Sequence, residues 1–227
     1  GIGGVRFRQE QQCIEVMAPP KITYFPTRGR AELARLVLAT AGVEWVEESV
    51  SAETLPALKE SGKLAFGQVP LYEDDDVSLV QSMTIARYLA RKHDLYGDLQ
   101  QGAIADMILD GYGDLVGKLV PNLYPQPNWE NLRKIKAEVA PVFAKQFEAV
   151  LAQNNGGAEF VAGDSFSFAD LALFSITEAL IFDFTLVNGA DFPLLEAHYN
   201  MVKAHENLAK YINSDKRFPP RKLEIPE

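Results

Sequence analysis

The sequence predicts an α/β unit followed by an all-helical one. Three features carry that expectation: strands alternating with helices over the first 90 or so residues, a change of texture after Asp94, and a strong helix-start signature at Ser167.

From Lys21 a β-rich run, "KITYF", leads into "RAELARLVLATAG". Leu33, Leu36, Val37 and Thr40 recur there at helical spacing, and Gly42 suits the position just past a helix end. "VEWVEESV" alternates and reads as a second strand, and "AETLPALKES" as a short irregular helix. The stretch Phe66–Leu89, "FGQVPLYEDDDVSLVQSMTIARYL", reads as a hairpin running into a helix. The order β-α-β-α-β-β-α is thus assigned to residues 19–94.

Residues 95–99, within "LYGDLQQ", are assigned to a linker. From there to Lys210 long amphipathic helical patterns replace the alternating ones, and residues 100–227 are assigned to an all-helical domain. In "GDSFSFADLALF" Ser167 is placed as an N-cap, Asp170 three residues on completes a capping box, and Phe166 pairs with Leu171 as a hydrophobic staple. The helix is expected from Phe168 to about Phe182. Gly1–Val16 lack periodicity and Met17 reads as a natural start, so residues 1–18 are expected to form a tail or remnant outside the fold, with a short targeting segment as the alternative.

Composition narrows the function. Of 227 residues 47% are hydrophobic and 23% charged, with a formal charge of −9, and the pI is about 4.9. Nucleic acid and anionic membrane are poor partners for such a chain, because both select clustered Lys and Arg. Apolar runs near 18 residues are lacking, so a bilayer-spanning helix is not expected and a cytosolic location is. The single cysteine, Cys13, excludes an internal disulfide or a Cys-x-x-Cys pair, and His93, His198 and His205 show no metal-ligand spacing.

Three short stretches suggest a site. Pro70 fits the first position of an edge strand, where its missing N–H is harmless. Alternatively, a cis Val69–Pro70 bond turns the N–H and C=O of Val69 outward, as an edge for an extended peptide. Gln81 and Ser82 open a helix, with Ser82 read as its N-cap, and first-turn N–H groups favour carboxylates. Tyr24 closes the first strand ahead of "FPTRGR", so that Tyr24, Arg28 and Arg30 form a set of donors suited to an anion.

Taken together, "YFPTRGR", "FGQVP", "QSMTIARYL", "LYGDLQQ", "DMILDGYGDL" and "GDSFSFADL" resemble the cytosolic glutathione transferases, nearly collinearly from Pro20 to Tyr211. The likeness is strongest to the pi class, with "QSMTIARYLA" leaning toward sigma. The resemblance implies a thioredoxin-like first domain, glutathione as co-substrate, no metal, and a homodimer that conjugates glutathione to hydrophobic electrophiles. Tyr24 then donates to the glutathione sulfur and Arg30 lies beside the thiolate. Gln68, Val69 and Pro70, the last cis, line the peptide, Gln81 and Ser82 hold the γ-glutamyl carboxylate, and Asp114 reaches the ligand amine across a dimer. Phe66 becomes the aromatic key into the partner, and Phe25, Thr27 and Tyr124 face the electrophile. A free thiol with a pKa of about 8.5 is mostly protonated at neutral pH, so a donor to the thiolate raises the reactive fraction.

Some positions depart from the family pattern. Leu55 stands where pi and sigma members place a tryptophan that holds the glycyl carboxylate. Lys59 fits the sigma lysine by spacing, whereas the pi spacing falls on Ser61 with Lys63 nearby. Leu64 replaces the reactive pi cysteine. The competing readings are a non-catalytic carrier of hydrophobic ligands or crystallin-like protein on the same scaffold, and a sigma-type glutathione-dependent prostaglandin isomerase.

Overall fold

The computed structural model describes residues 18–124, 126–220, 223, 225 and 226; the expected tail, with Cys13 and Met17, lies outside them but for Ala18. Strand β1 (Lys21–Tyr24) is followed by α1 (Glu32–Thr40), β2 (Val46–Ser49), α2 (Leu55–Glu60), β3 (Leu71–Glu73), β4 (Ser78–Val80) and α3 (Ser82–Lys92). The sheet order is β2-β1-β3-β4. β1 runs parallel to β2, as a strand–helix–strand crossover requires, and Tyr24 pairs with Ser49. β3 is antiparallel to β1 and to β4, with Thr23 opposite Leu71 and Leu71 opposite Val80. The order of elements is the one read from the sequence, and the mixed sheet is that of the thioredoxin-like domain which the resemblance implies.

The rest is helical: α4 (Leu99–Leu119), α5 (Trp129–Lys134), α6 (Ala140–Gln153), α7 (Phe168–Thr177), α8 (Pro193–Lys203) and α9 (Glu206–Ile212). α4 opens on a capping box between Asp98 and Gln101, and α7 on the expected one between Ser167 and Asp170. Both satisfy orphan N–H groups at a helix start. Phe166 stacks on His205. Two segments, Ile135–Val139 and Glu178–Asp183, wind as π-helical turns. The second carries the helix from Phe168 one residue beyond the expected Phe182.

One element exceeds its sequence pattern. The spacing in α1 predicts a single apolar face, yet every residue from Glu32 to Thr40 is buried. α1 packs against α3 on one side and α7 and α9 on the other, between the sheet unit and the helical unit. A helix covered all round must satisfy its polar groups internally, and Glu32 and Arg35 within it have to find buried partners.

Candidate active site

The loop between β1 and α1 holds the first group of site residues. Tyr24, half-buried, lies edge-on to Phe25 with ring centroids 5.6 Å apart. Its hydroxyl oxygen accepts the backbone N–H of Arg30 at 3.2 Å. That bond occupies a lone pair, and among the described residues the O–H has no acceptor. Gly29 adopts φ +43, and a Cβ added to it would lie 2.8 Å from the Tyr24 hydroxyl and 2.9 Å from the ring. The ring therefore rests on a position where only glycine fits without displacement. The Arg30 side chain is exposed. It is close enough to the Tyr112 hydroxyl on α4 to oppose the upward shift of that phenol, which desolvation nonetheless pushes up to about 12.

Arg28 does not join this group as the sequence reading expects. Its Nε donates to the carbonyl of Phe218 at 2.8 Å, and its Nη1 lies 3.2 Å from Asp183 and 3.5 Å from Glu178. The guanidinium points at Glu178 and Asp183 of the helical unit, which leaves Tyr24 and Arg30 as the candidate anion donors of the three.

Beneath the loop sits Arg35, fully buried. It forks onto Glu47 of β2 (2.6 and 3.1 Å) and donates to the carbonyls of Thr27 (2.9 Å) and Arg28 (3.1 Å). Its guanidinium carbon lies 4.8 Å from the Phe218 ring centroid and 6.0 Å from that of Tyr24. A buried bidentate arginine is a rigid support, since its fork geometry fixes every acceptor at once. The one acid of α1, Glu32, accepts from Arg217 at 2.7 Å and from the Tyr211 hydroxyl at 3.3 Å. The sequence reading missed these residues. A charged residue inside the apolar run "ELARLVLAT" is the one local signal that points to Arg35.

The second group lies on the hairpin and α3. The Val69–Pro70 peptide is cis, as expected. Gln68 is exposed, Val69 half-buried and Pro70 buried at the mouth of β3. Ser82 is not the N-cap. Helix α3 already begins at Ser82, which is buried, and the N-cap position is taken by Gln81 in a left-handed conformation, φ 75. β4 ends at Val80, so the chain must reverse within one residue, and the left-handed backbone of Gln81 makes that turn. Among the described residues no side chain caps this helix start, and its first-turn N–H groups can take an external anion. A non-glycine residue at positive φ is strained, and strain of this kind collects at ligand sites.

The remaining expected residues are spread out. Lys59 on α2 is exposed and has no partner among the described residues, whereas Lys63 is tied to Glu73 at 2.8 Å. Leu55 opens α2, half-buried. Phe66 is 68% exposed. Asp114 is exposed on α4, and neighbouring Gly113 and Gly117 would leave an added Cβ in open space. Thr27 is half-buried and Tyr124, past the end of α4, is exposed. Two cavities, of about 1100 and 350 Å³, lie in the helical unit, and neither is lined by any of these expected site residues. The larger is walled by Ile181, Phe182, Leu186, Val187 and Phe192.

Comparison with known proteins agrees with this architecture. Residues 20–91 match the model for the glutathione S-transferase N-terminal domain, and residues 113–215 that for the C-terminal domain. Human glutathione S-transferase P is 37% identical over 201 residues, 87% of this chain and 93% of that protein. Glutathione S-transferase P 1 of Xenopus laevis is 36% identical over 203 residues, 86% and 92% of the two chains. Among solved structures, the pi-class glutathione S-transferase of Onchocerca volvulus superposes with a TM-score of 0.75 at 30% identity, over 86% of this chain and 92% of that one. A nu-class enzyme from Haemonchus contortus gives 0.73 at 30%, over 90% and 98%. Two matched domain models and relatives along most of the sequence carry one conclusion: the chain belongs to the glutathione S-transferase family.

Proposed function

We propose that the protein binds glutathione between the β1–α1 loop and the start of α3, lowers the pKa of its thiol at Tyr24, and adds the thiolate to hydrophobic electrophiles. The observation that carries this reading is the Tyr24 hydroxyl. It accepts the Arg30 N–H and keeps its own proton for a donor bond outward. A donor aimed at sulfur stabilises thiolate over thiol, and each pKa unit of depression corresponds to about 1.4 kcal/mol. Tyr24 need not ionise, and the exposed Arg30 adds positive charge beside the sulfur.

The other end of the tripeptide is read onto the hairpin and α3. Gln68, Val69 and Pro70 lie along the peptide backbone. The γ-glutamyl carboxylate meets Gln81, Ser82 and the uncapped helix start. Lys59, which has no partner among the described residues whereas Lys63 is engaged by Glu73, is the cation for the glycyl carboxylate in place of the contact that Leu55 cannot make. Phe25, Thr27 and Tyr124 face the electrophile, whose positioning next to the thiolate supplies the proximity contribution to the rate. The exposed Phe66 and Asp114 fit an enzyme that works as a homodimer, with Phe66 inserted into the partner and Asp114 completing the partner's site. The proposed setting is the cytoplasm and the proposed role detoxification.

Tyr24→Phe tests this directly. Loss of one well-placed donor to a developing or held anion lowers turnover about a hundredfold, so conjugation of a chromogenic aryl halide is expected to fall by that order. Unchanged turnover would contradict the assignment.

A further inference from the structure

The β1–α1 loop is held from its far side by a buried network that joins both halves of the molecule. Four carboxyls, Glu32, Glu47, Glu178 and Asp183, share three guanidiniums, Arg28, Arg35 and Arg217. Arg217 bridges Glu32 on α1 (2.7 Å) and Glu178 on the π-helical turn (2.5 Å), and the hydroxyls of Tyr211 and Tyr199 complete those two acids. Four acids against three guanidiniums leave one negative charge over, and of the four acids Glu32 and Glu178 are buried whereas the Glu47 side chain is 26% exposed. Asp183, with its side chain 14% exposed, sits at the edge of this network. Its closest cation is Arg28, one residue before Gly29, on which the Tyr24 ring rests.

We propose that Asp183 is a positioning residue for the sulfur end of the glutathione site: it holds Arg28, and so fixes the Thr27–Arg30 turn that seats Tyr24, and protonation of Asp183 slackens that turn. The inference rests on the assignment of Tyr24 above and adds a proton-sensitive support to it. Asp183 faces Arg28 from the loop, Arg217 from the C-terminal segment, Glu32 from α1, Tyr112 from α4, Tyr199 from α8 and Glu178 from its own turn. Burial first, then repulsion by Glu178, raises its carboxyl to about 6 against the pull of Arg28 and Arg217. The switch therefore lies just below neutrality.

The sign of the linkage separates this role from a purely structural one. A carboxyl whose folded pKa is raised contributes stability that is fully present below its unfolded pKa, near 3.9, and is lost as pH rises through the folded value. Ionised Asp183 thus weakens the fold at neutral pH while holding the loop. A group kept at the expense of stability beside a site is expected where function needs it.

The experiment uses the full chain and Asp183→Asn, a mimic of the protonated form. At about pH 7.5 the variant is expected to bind glutathione about fivefold more weakly than wild type, and at about pH 5, where wild type is itself protonated, the ratio is expected to approach one. Ratios cancel the titration of glutathione and of other groups. The thermal midpoint of the variant at pH 7.5 is expected to equal or exceed that of wild type. Amide exchange over residues 25–31 in the free protein at pH 7.5 is expected to be faster in the variant. An equal affinity loss at both pH values, loss of affinity and thermal midpoint together, or unchanged exchange over residues 25–31 would overturn the proposal. Exchange is measured without glutathione, so a wild-type protein that bound no glutathione would sink the functional assignment while this arm still decided the role of Asp183.

Discussion

The two ends of the proposed glutathione site are built from different materials. At the sulfur end, one phenol stands on a glycine, a buried arginine and a network of acids that reaches from β2 to the C-terminal segment. At the carboxylate end, the proposed contacts are backbone at the start of α3 and side chains in solvent, Lys59, Gln68 and Gln81. Change at the first end is transmitted through packing. Change at the second is screened by water.

The comparison is broken most severely at Arg35. Arg35→Met leaves the carbonyls of Thr27 and Arg28 without the guanidinium and Glu47, whose side chain is 26% exposed, with the Trp45 indole N–H as its remaining donor. Because loss of one partner of a fully buried pair costs about 3–5 kcal/mol, the expected cost is at the low end, about 3 kcal/mol. Urea denaturation should show a drop of that order, and a change below about 1 kcal/mol would mean that the network is not a support. Gly29→Ala comes next. Its Cβ would collide with the Tyr24 ring at φ +43, with a backbone cost of about 1 kcal/mol, while displacement of the hydroxyl lowers conjugation by tenfold to about a hundredfold. Activity should fall far more than the thermal midpoint. Smallest is Lys59→Ala. An exposed ion pair contributes little, so the KM for glutathione should rise by about two- to fivefold with kcat unchanged. A larger effect, or one confined to kcat, would place Lys59 nearer the chemistry than the carboxylate end.

The same contrast explains what the sequence reveals. The order of strands and helices is legible because period-2 and period-3.6 patterns are local, as are the capping residues Ser167 and Asp170, whose side chain–backbone bonds form as read. Tyr24, Pro70, Gln81 and Ser82 fall in short motifs at the ends of elements, so the proposed site can be read from consecutive residues. The error at Ser82 is also local: a serine before a helical run reads as an N-cap, and only the geometry of the reversal at Gln81 shows that the helix has already begun. The supports are illegible for another reason. Arg35 meets Glu47 across 12 positions, Arg28 meets Asp183 across 155, and Arg217 meets Glu32 across 185. No spacing rule spans such separations, and the π-helical turn that aims Glu178 and Asp183 has no pattern of its own in the sequence. The full burial of α1 follows from its place between two units, which its own residues do not encode.

The most direct test of the central claim is the acidity of the glutathione thiol on the protein, followed by thiolate absorbance as pH is varied in wild type and in Tyr24→Phe. The Tyr24 donor predicts that the wild-type complex ionises at least one unit below the free thiol value of about 8.5 and that the variant returns most of the way toward it. Matching ionisation in the two complexes would contradict the assignment of Tyr24 as the group that holds the thiolate.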